Sequence, residues 1–305
     1  MFVPGSSGIE IVPTVPVVSS KVDKLFRIAS TDPTPSINPP QLGVLWINGV
    51  TGEEFICIDN TKNKNVWKSN RGRVIAPPDL PLLDILGDSS CIALWRFDSN
   101  ANEASGKFDG KWTGEEIYVY DGWNQAAFLN GASYINIGKP VNPLKEWSVS
   151  LWVNTIQTAV GDDYWTNPTL VAMATAGPTR DIGIALSNGR LHIWSGNCAK
   201  GDKYKTTEFF IANGKWHHIV VTVQNGQITY YVDKLQKGVF PDVCYDHLDD
   251  ADFYVGVTYH TGDNNPIKPT SFFIGKIDNL RFFNKVLTLN DVETIFDIEN
   301  PYQGR

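Results

Sequence analysis

From Ile92 onward, apolar and polar residues alternate in short runs, and each run closes on a turn. The runs are "IALWRFD", "AAFLNG", "SYINIG", "WSVSLWVN", "TLVAMAT", "DIGIALS", "RLHIWSG", "WHHIVVTVQ", "QITYYVD", "ADFYVGVTY" and "FFIGKIDNLRFFN". A period of two predicts strands with one face in a core. The breaks carry Asn130-Gly131, Asn188-Gly189, Asn213-Gly214 and Asn225-Gly226, the pair that suits tight hairpins. One segment has a helical period: "TLNDVETIFDIEN", with Thr288 as its N-cap and Val292, Ile295 and Phe296 on one face. The pattern predicts an all-β fold, a two-sheet antiparallel jelly-roll sandwich over residues 91–305 with a short C-terminal helix.

Ahead of it the texture differs. Residues 42–69 predict a small β unit, with Val44, Trp46, Phe55 and Cys57 on one face of "LGVLWIN" and "FICID". A unit this short needs support from a neighbour or from further copies, and a trimer is expected. Residues 1–41 hold seven of the 18 prolines, which predicts an extended arm that lies on other subunits. Residues 70–90, with Pro77, Pro78 and Pro81, predict a linker.

Charge then removes function classes. A net charge of −7 gives no basic patch for phosphates, so no nucleic-acid partner is expected. The chain contains no apolar run long enough for a membrane span. "MFVPGSSGIEIVPTVPVV" lacks the charged start and unbroken apolar stretch of a signal peptide. Cys57, Cys91, Cys198 and Cys244 are scattered and form no CxxC pair, so free thiols are expected.

The adjacent His217 and His218 are the first candidates for chemistry. In a strand they point to opposite faces and cannot converge on one metal or proton. His217 shares the more apolar face with Ile219, Val221 and Val223; His218 shares the other with Trp216, Val220 and Thr222. No H-x-x-x-H or H-E-x-x-H spacing occurs, and His192, His247 and His260 lie on other segments. Glycoside hydrolysis needs two carboxylates about 5–10 Å apart. Glu115 and Glu116 are adjacent and therefore diverge, and no G-x-S-x-G elbow is present. A non-enzyme is expected.

Several pieces, in order, resemble laminin G-like, concanavalin A-like domains. "ALWRFDSNANEASGKFDG" (93–110) is similar to the family's opening strand and polar loop, and "AAFLNGASYINIG" and "WSVSLWVN" to its next two signatures. "GKWHHIVVTVQNGQITYYVDKLQKG" and "FFIGKIDNLRFFNKVLTLNDVETIF" resemble its later hairpin and its closing strand and helix. The resemblance spans about residues 91–298 and implies a two-sheet jelly roll that binds glycans or proteins, often with calcium on the rim. Carried onto this chain, it implies calcium ligands at Asp98, Asn100 and Glu103 of the first loop and Asp278 of the last strand. The acidic group Asp242, Asp246, Asp249, Asp250 and Asp252 is a second candidate. For sugar, exposed aromatics beside polar residues are needed, which selects Tyr164 and Trp165 in "GDDYWTNP" and Tyr259 and His260 in "YHTGDNNP".

"NPPQLGVLWINGVTGEEFICIDNTKNKNVW" (38–67) is similar to short repeats of bacteriophage virion proteins, especially tail fibres and appendages. Together the resemblances imply a phage virion structural protein, anchored to other virion proteins through residues 1–41 and displaying a lectin-like domain to a host or environmental glycan. A capsid decoration or scaffold protein is the alternative, with a non-viral adhesin or a hydrolase behind it.

Overall fold

The computed structural model describes residues 26–34, 36–37, 39, 43–60, 65–70, 74–75, 82–120, 125–141, 146–173, 181–198, 201–241, 251–258 and 271–299. The chain divides into two compact units, residues 1–80 and 81–305. The first 25 residues of the expected arm, with Tyr259, His260 and residues 242–250, lie outside the described residues.

Unit 1 is a five-stranded sheet of β1 (Phe26–Ala29), β2 (Leu45–Asn48), β3 (Glu54–Asp59), β4 (Val66–Ser69) and β5 (Val74–Ile75), in that spatial order. The core face holds Val44, Trp46, Phe55 and Cys57, as the alternation predicts, with Trp67 added from β4. Part of the expected arm belongs to this unit, because β1 pairs in parallel with β2. The following turn is tied down by the indoles: Trp46 Nε1 donates to Thr31 O at 2.8 Å and Trp67 Nε1 to Thr34 O at 3.3 Å. Asn48 Nδ2 donates to Asp32 at 2.6 Å. Buried indole N–H groups need acceptors, and these carbonyls are what orders the proline-flanked segment.

Unit 2 is the sandwich. One sheet runs β15 (Gly201–Phe210), β14 (Arg190–Cys198), β13 (Ile182–Ser187), β12 (Thr169–Met173), β19 (Phe253–Val255), β10 (Tyr134–Gly138), β7 (Lys111–Thr113). The other runs β18 (Leu235–Pro241), β17 (Gln227–Val232), β16 (Trp216–Gln224), β11 (Glu146–Asn154), β20 (Ile274–Phe283), β9 (Gln125–Asn130), β8 (Tyr118–Tyr120). The first strand of the unit, β6 (Cys91–Trp95), pairs with the last, β20. Between the sheets lies one large core that includes Trp95, Leu151, Ile193, Ile219, Val221, Val255 and Phe282. Asn188 and Asn225 adopt positive φ ahead of Gly189 and Gly226, and close the β13–β14 and β16–β17 hairpins.

The helix α1 (Leu289–Glu299) begins where its sequence says it should. Thr288 Oγ1 accepts from Asp291 N at 3.2 Å, and Asp291 Oδ2 accepts from Thr288 N at 2.9 Å, a reciprocal cap. Val292 and Ile295 are buried against the outer face of the eight-stranded sheet, in a second core with Cys91, Val220, Tyr231 and Phe283. Leu83, Ile85 and Leu86 join that core, so residues 82–90 of the expected linker pack onto unit 2. They include the 3-10 turn Leu82–Asp84. Cys57 and Cys91 are buried free thiols.

Candidate functional site

The paired histidines separate as their strand requires. His217 sits at the rim, hydrogen-bonded through Nδ1 to Asp233 at 2.8 Å and through Nε2 to Asn213 at 3.1 Å. His218 is fully buried under α1, stacked on Trp152 at 5.0 Å and hydrogen-bonded to Ser150 Oγ at 2.7 Å. Beside it Arg281 Nε donates to Glu299 Oε1 at 2.6 Å, and Trp152 Nε1 donates to Glu299 Oε2 at 3.3 Å. Burial pushes the His218 imidazole down to about 3, against the pull of Asp233 and with the push of Arg281. Burial also raises the Glu299 carboxyl, while Arg281 opposes that shift. The His218 face is closed to ligands.

The opposite outer face, on the seven-stranded sheet, is built differently. Along β14 the alternation sends Leu191 and Ile193 into the main core and His192 and Trp194 outward. Trp194 faces Tyr204 on β15 and Gly183 on β13. Gly183 is required there, since a Cβ would come within 2.2 Å of the indole. With Ala172 and Ala185, it gives a floor flat enough for Trp194 to lie on the sheet. The loop after β11 folds onto this floor and brings Tyr164 and Trp165 against Trp194. Tyr164 stacks on Tyr204 with ring centres 5.1 Å apart and planes 2° from parallel, and meets Trp194 edge-on at 6.2 Å.

The loop is held from within and from below. Asn167 Oδ1 accepts from Gly161 N at 3.1 Å, and Asn167 Nδ2 donates to Tyr164 O at 3.1 Å. His192 Nε2 lies 3.0 Å from the same carbonyl, and Nδ1 lies 2.8 Å from Thr206 Oγ1. A carbonyl only accepts, so Nε2 carries the proton and Nδ1 accepts from the threonine. Burial pushes this imidazole down to about 4, which keeps it neutral. The Tyr164 hydroxyl is pushed up, first by burial, then by its hydrogen bond to Asp202 and by the charges of Asp202, Asp181 and Asp163. The outcome is an aromatic surface flanked by carboxylates. Tyr204 is 59% exposed, Tyr164 and Trp165 are half-buried, and the buried Trp194 Nε1 has no acceptor among the described residues.

Of the four aromatic candidates, Tyr164 and Trp165 come together here, while Tyr259 and His260 lie outside the described residues. Trp194 and Tyr204 went unnoticed in the sequence. For Trp194 the signal was present, since "LHIWS" places it on the face opposite Leu191 and Ile193.

The calcium candidates hold other partners. Asp98 pairs with Arg96 at 3.2 Å, and Asn100 Oδ1 accepts from Asn102 N at 2.9 Å. The buried Glu103 carboxylate accepts from Leu94 N and Lys107 N, each at 3.2 Å, and from the Ser105 hydroxyl. Asp278 is buried beside the irregular β11–β20 register and accepts from Asn279 N at 2.8 Å. Asp252 accepts from Asn136 at 2.8 Å. Among the described residues, no three His, Cys, Asp or Glu side chains gather into a metal-binding group.

A family model for the concanavalin A-like lectin/glucanases superfamily matches residues 129–293, more than half of the 305-residue chain. The chain belongs to that superfamily. No curated protein sequence matches it at a significant level. Among solved structures it is similar to domain 4 of AbnA, a GH43 extracellular arabinanase from Geobacillus stearothermophilus, in complex with arabinotriose. Identity is 28%, coverage 67% of this chain and 96% of that one, and the TM-score 0.53. It is also similar in fold to the binding domain of Paraclostridial Mosquitocidal Protein 1. There identity is 14%, coverage 68% of this chain and 52% of that one, and the TM-score 0.53.

Proposed function

We propose that this chain binds carbohydrate through the Tyr164–Tyr204 surface on the outer face of the seven-stranded sheet. The observation that carries the reading is the parallel ring stack, with Tyr204 59% exposed and Asp202 bonded to Tyr164. Sugar CH faces pack on aromatic rings, and carboxylates accept pairs of sugar hydroxyls. The resemblance to an arabinanase domain solved with arabinotriose supports the same chemistry. The reading is of binding without hydrolysis.

The setting we infer is a phage virion, with residues 1–41 anchoring the chain to other virion proteins and unit 2 displayed for attachment. The likeness of residues 38–67 to phage appendage repeats supports it. Several weak sites on one particle would then act together. The test is a glycan array and calorimetry on the full chain, starting with arabino-oligosaccharides, with and without chelator. Binding that Tyr204→Ala weakens is expected; no binding to any glycan would sink the reading and favour a decoration role. Release of reducing sugar would replace binding with hydrolysis. Normal particle incorporation after deletion of residues 1–41 would remove the anchoring role.

A further inference from the structure

Unit 1 buries only one face of its sheet. Strand register sets the other face: Phe26 lies opposite Leu45, Leu45 opposite Ile56, and Ile56 opposite Lys68, while Ile28 lies opposite Ile47 and Ile47 opposite Glu54. Residues paired across a ladder share a face, so five apolar side chains form a band across β1, β2 and β3, and Ile58 extends it along β3. The band is open, with Phe26 41%, Ile28 62%, Ile56 48% and Ile58 37% exposed. Those four residues alone expose roughly 400 Å², within the range of the largest apolar patch on a typical monomer, which is often functional.

We propose that this face is a self-association surface, on which unit 1 of a second copy of the chain packs face to face. Three observations choose a second copy as the occupant. A flat apolar sheet face packs best on another one, and an identical copy supplies a face of the same size and twist. The four residues of two copies together would hide about 800 Å², an area that fits a weak, concentration-dependent pair below the roughly 1,200 Å² of stable interfaces. The band also carries one cation and one anion, Lys68 on β4 and Glu54 on β3. A two-fold axis that runs midway between these two positions faces each with its opposite on the partner, a complementarity that an identical copy supplies by symmetry. The inference is independent of sugar binding by unit 2, and it replaces the trimer expected from size alone with a pair.

The test is sedimentation of the full chain at high micromolar concentration. The expected result is twice the 33.9 kDa chain mass. Ile28→Lys with Ile56→Lys should return it to the monomer while the near-ultraviolet signal of the Trp46–Trp67 pair is kept. If that pair unfolds unit 1, charge reversal decides. Lys68→Glu alone should weaken association at least tenfold, and Lys68→Glu with Glu54→Lys should restore it. A monomeric wild-type chain, a trimeric mass, or a dimer indifferent to both sets of substitutions would overturn the proposal.

Discussion

The two outer surfaces of the sandwich start from similar materials and end in opposite states. Each carries a histidine and a tryptophan, His218 and Trp152 from the neighbouring strands β16 and β11 on one side, His192 and Trp194 from the single strand β14 on the other. On the first, α1 lies across the rings: Phe296 contacts Trp152 at 5.2 Å, and Lys234 pairs with Asp297 at 2.8 Å along the margin. On the second, a loop is what covers the floor among the described residues, and Tyr204 remains open. What covers a sheet face decides its use, more than which residues lie on it. A helix turns aromatics into a core; a loop leaves part of them exposed.

The covered side should be the sensitive one. Glu299→Ala strands the fully buried Arg281 and should cost about 3–5 kcal/mol, read by denaturant unfolding. Adding Arg281→Met should recover much of that, and a loss no greater than for an exposed residue would show that the ion pair does not hold α1.

Acid is the next strongest lever. His218 and His192 hold pKa values of about 3 and 4 in the folded chain, below the ordinary 6.5 that they regain on unfolding. Below about pH 6.5 the unfolded chain therefore takes up protons that the folded one refuses. Their contribution is fully present above that pH and falls on acidification, toward about 4 for His192 and about 3 for His218, by up to about 1.4 kcal/mol per pH unit each. The slope should shrink in His218→Gln, and an unchanged slope would remove His218 from the account.

On the open side, Tyr204→Ala should cost at least about 1.4 kcal/mol of glycan affinity, a tenfold loss, while moving stability by no more than about 0.5 kcal/mol. A large stability loss would mean that the open face is fabric after all. The smallest effect expected is that of Thr288→Ala, about 1 kcal/mol from the lost cap of α1, seen in the melting temperature with glycan affinity unchanged.

Much of the fold was legible because alternation, Asn-Gly turns and a capped helical period act locally. The split of His217 from His218 followed from strand geometry alone. Strand β15 escaped notice because "GDKYKTTEFF" is polar and sits at the sheet edge, where no apolar alternation is demanded. Tyr204 escaped with it, and so did half of the candidate site. The cover over His218 was also hidden. A helical period shows that α1 has an apolar face, but not which sheet receives it. Residues 82–90 read as linker because Pro77, Pro78 and Pro81 precede them, whereas the apolar Leu83, Ile85 and Leu86 find a place only once α1 is beside them.

The pairing of β6 with β20 gives the sandwich a front and a back. The 3-10 turn that leads into unit 2 and the helix that ends it lie together on the outer face of the eight-stranded sheet, where Arg281 Nη1 reaches Leu83 O at 3.5 Å. Both lie on the face opposite the tyrosine stack. The first and last described elements of unit 2 therefore form one clasp, and loosening either uncovers the other.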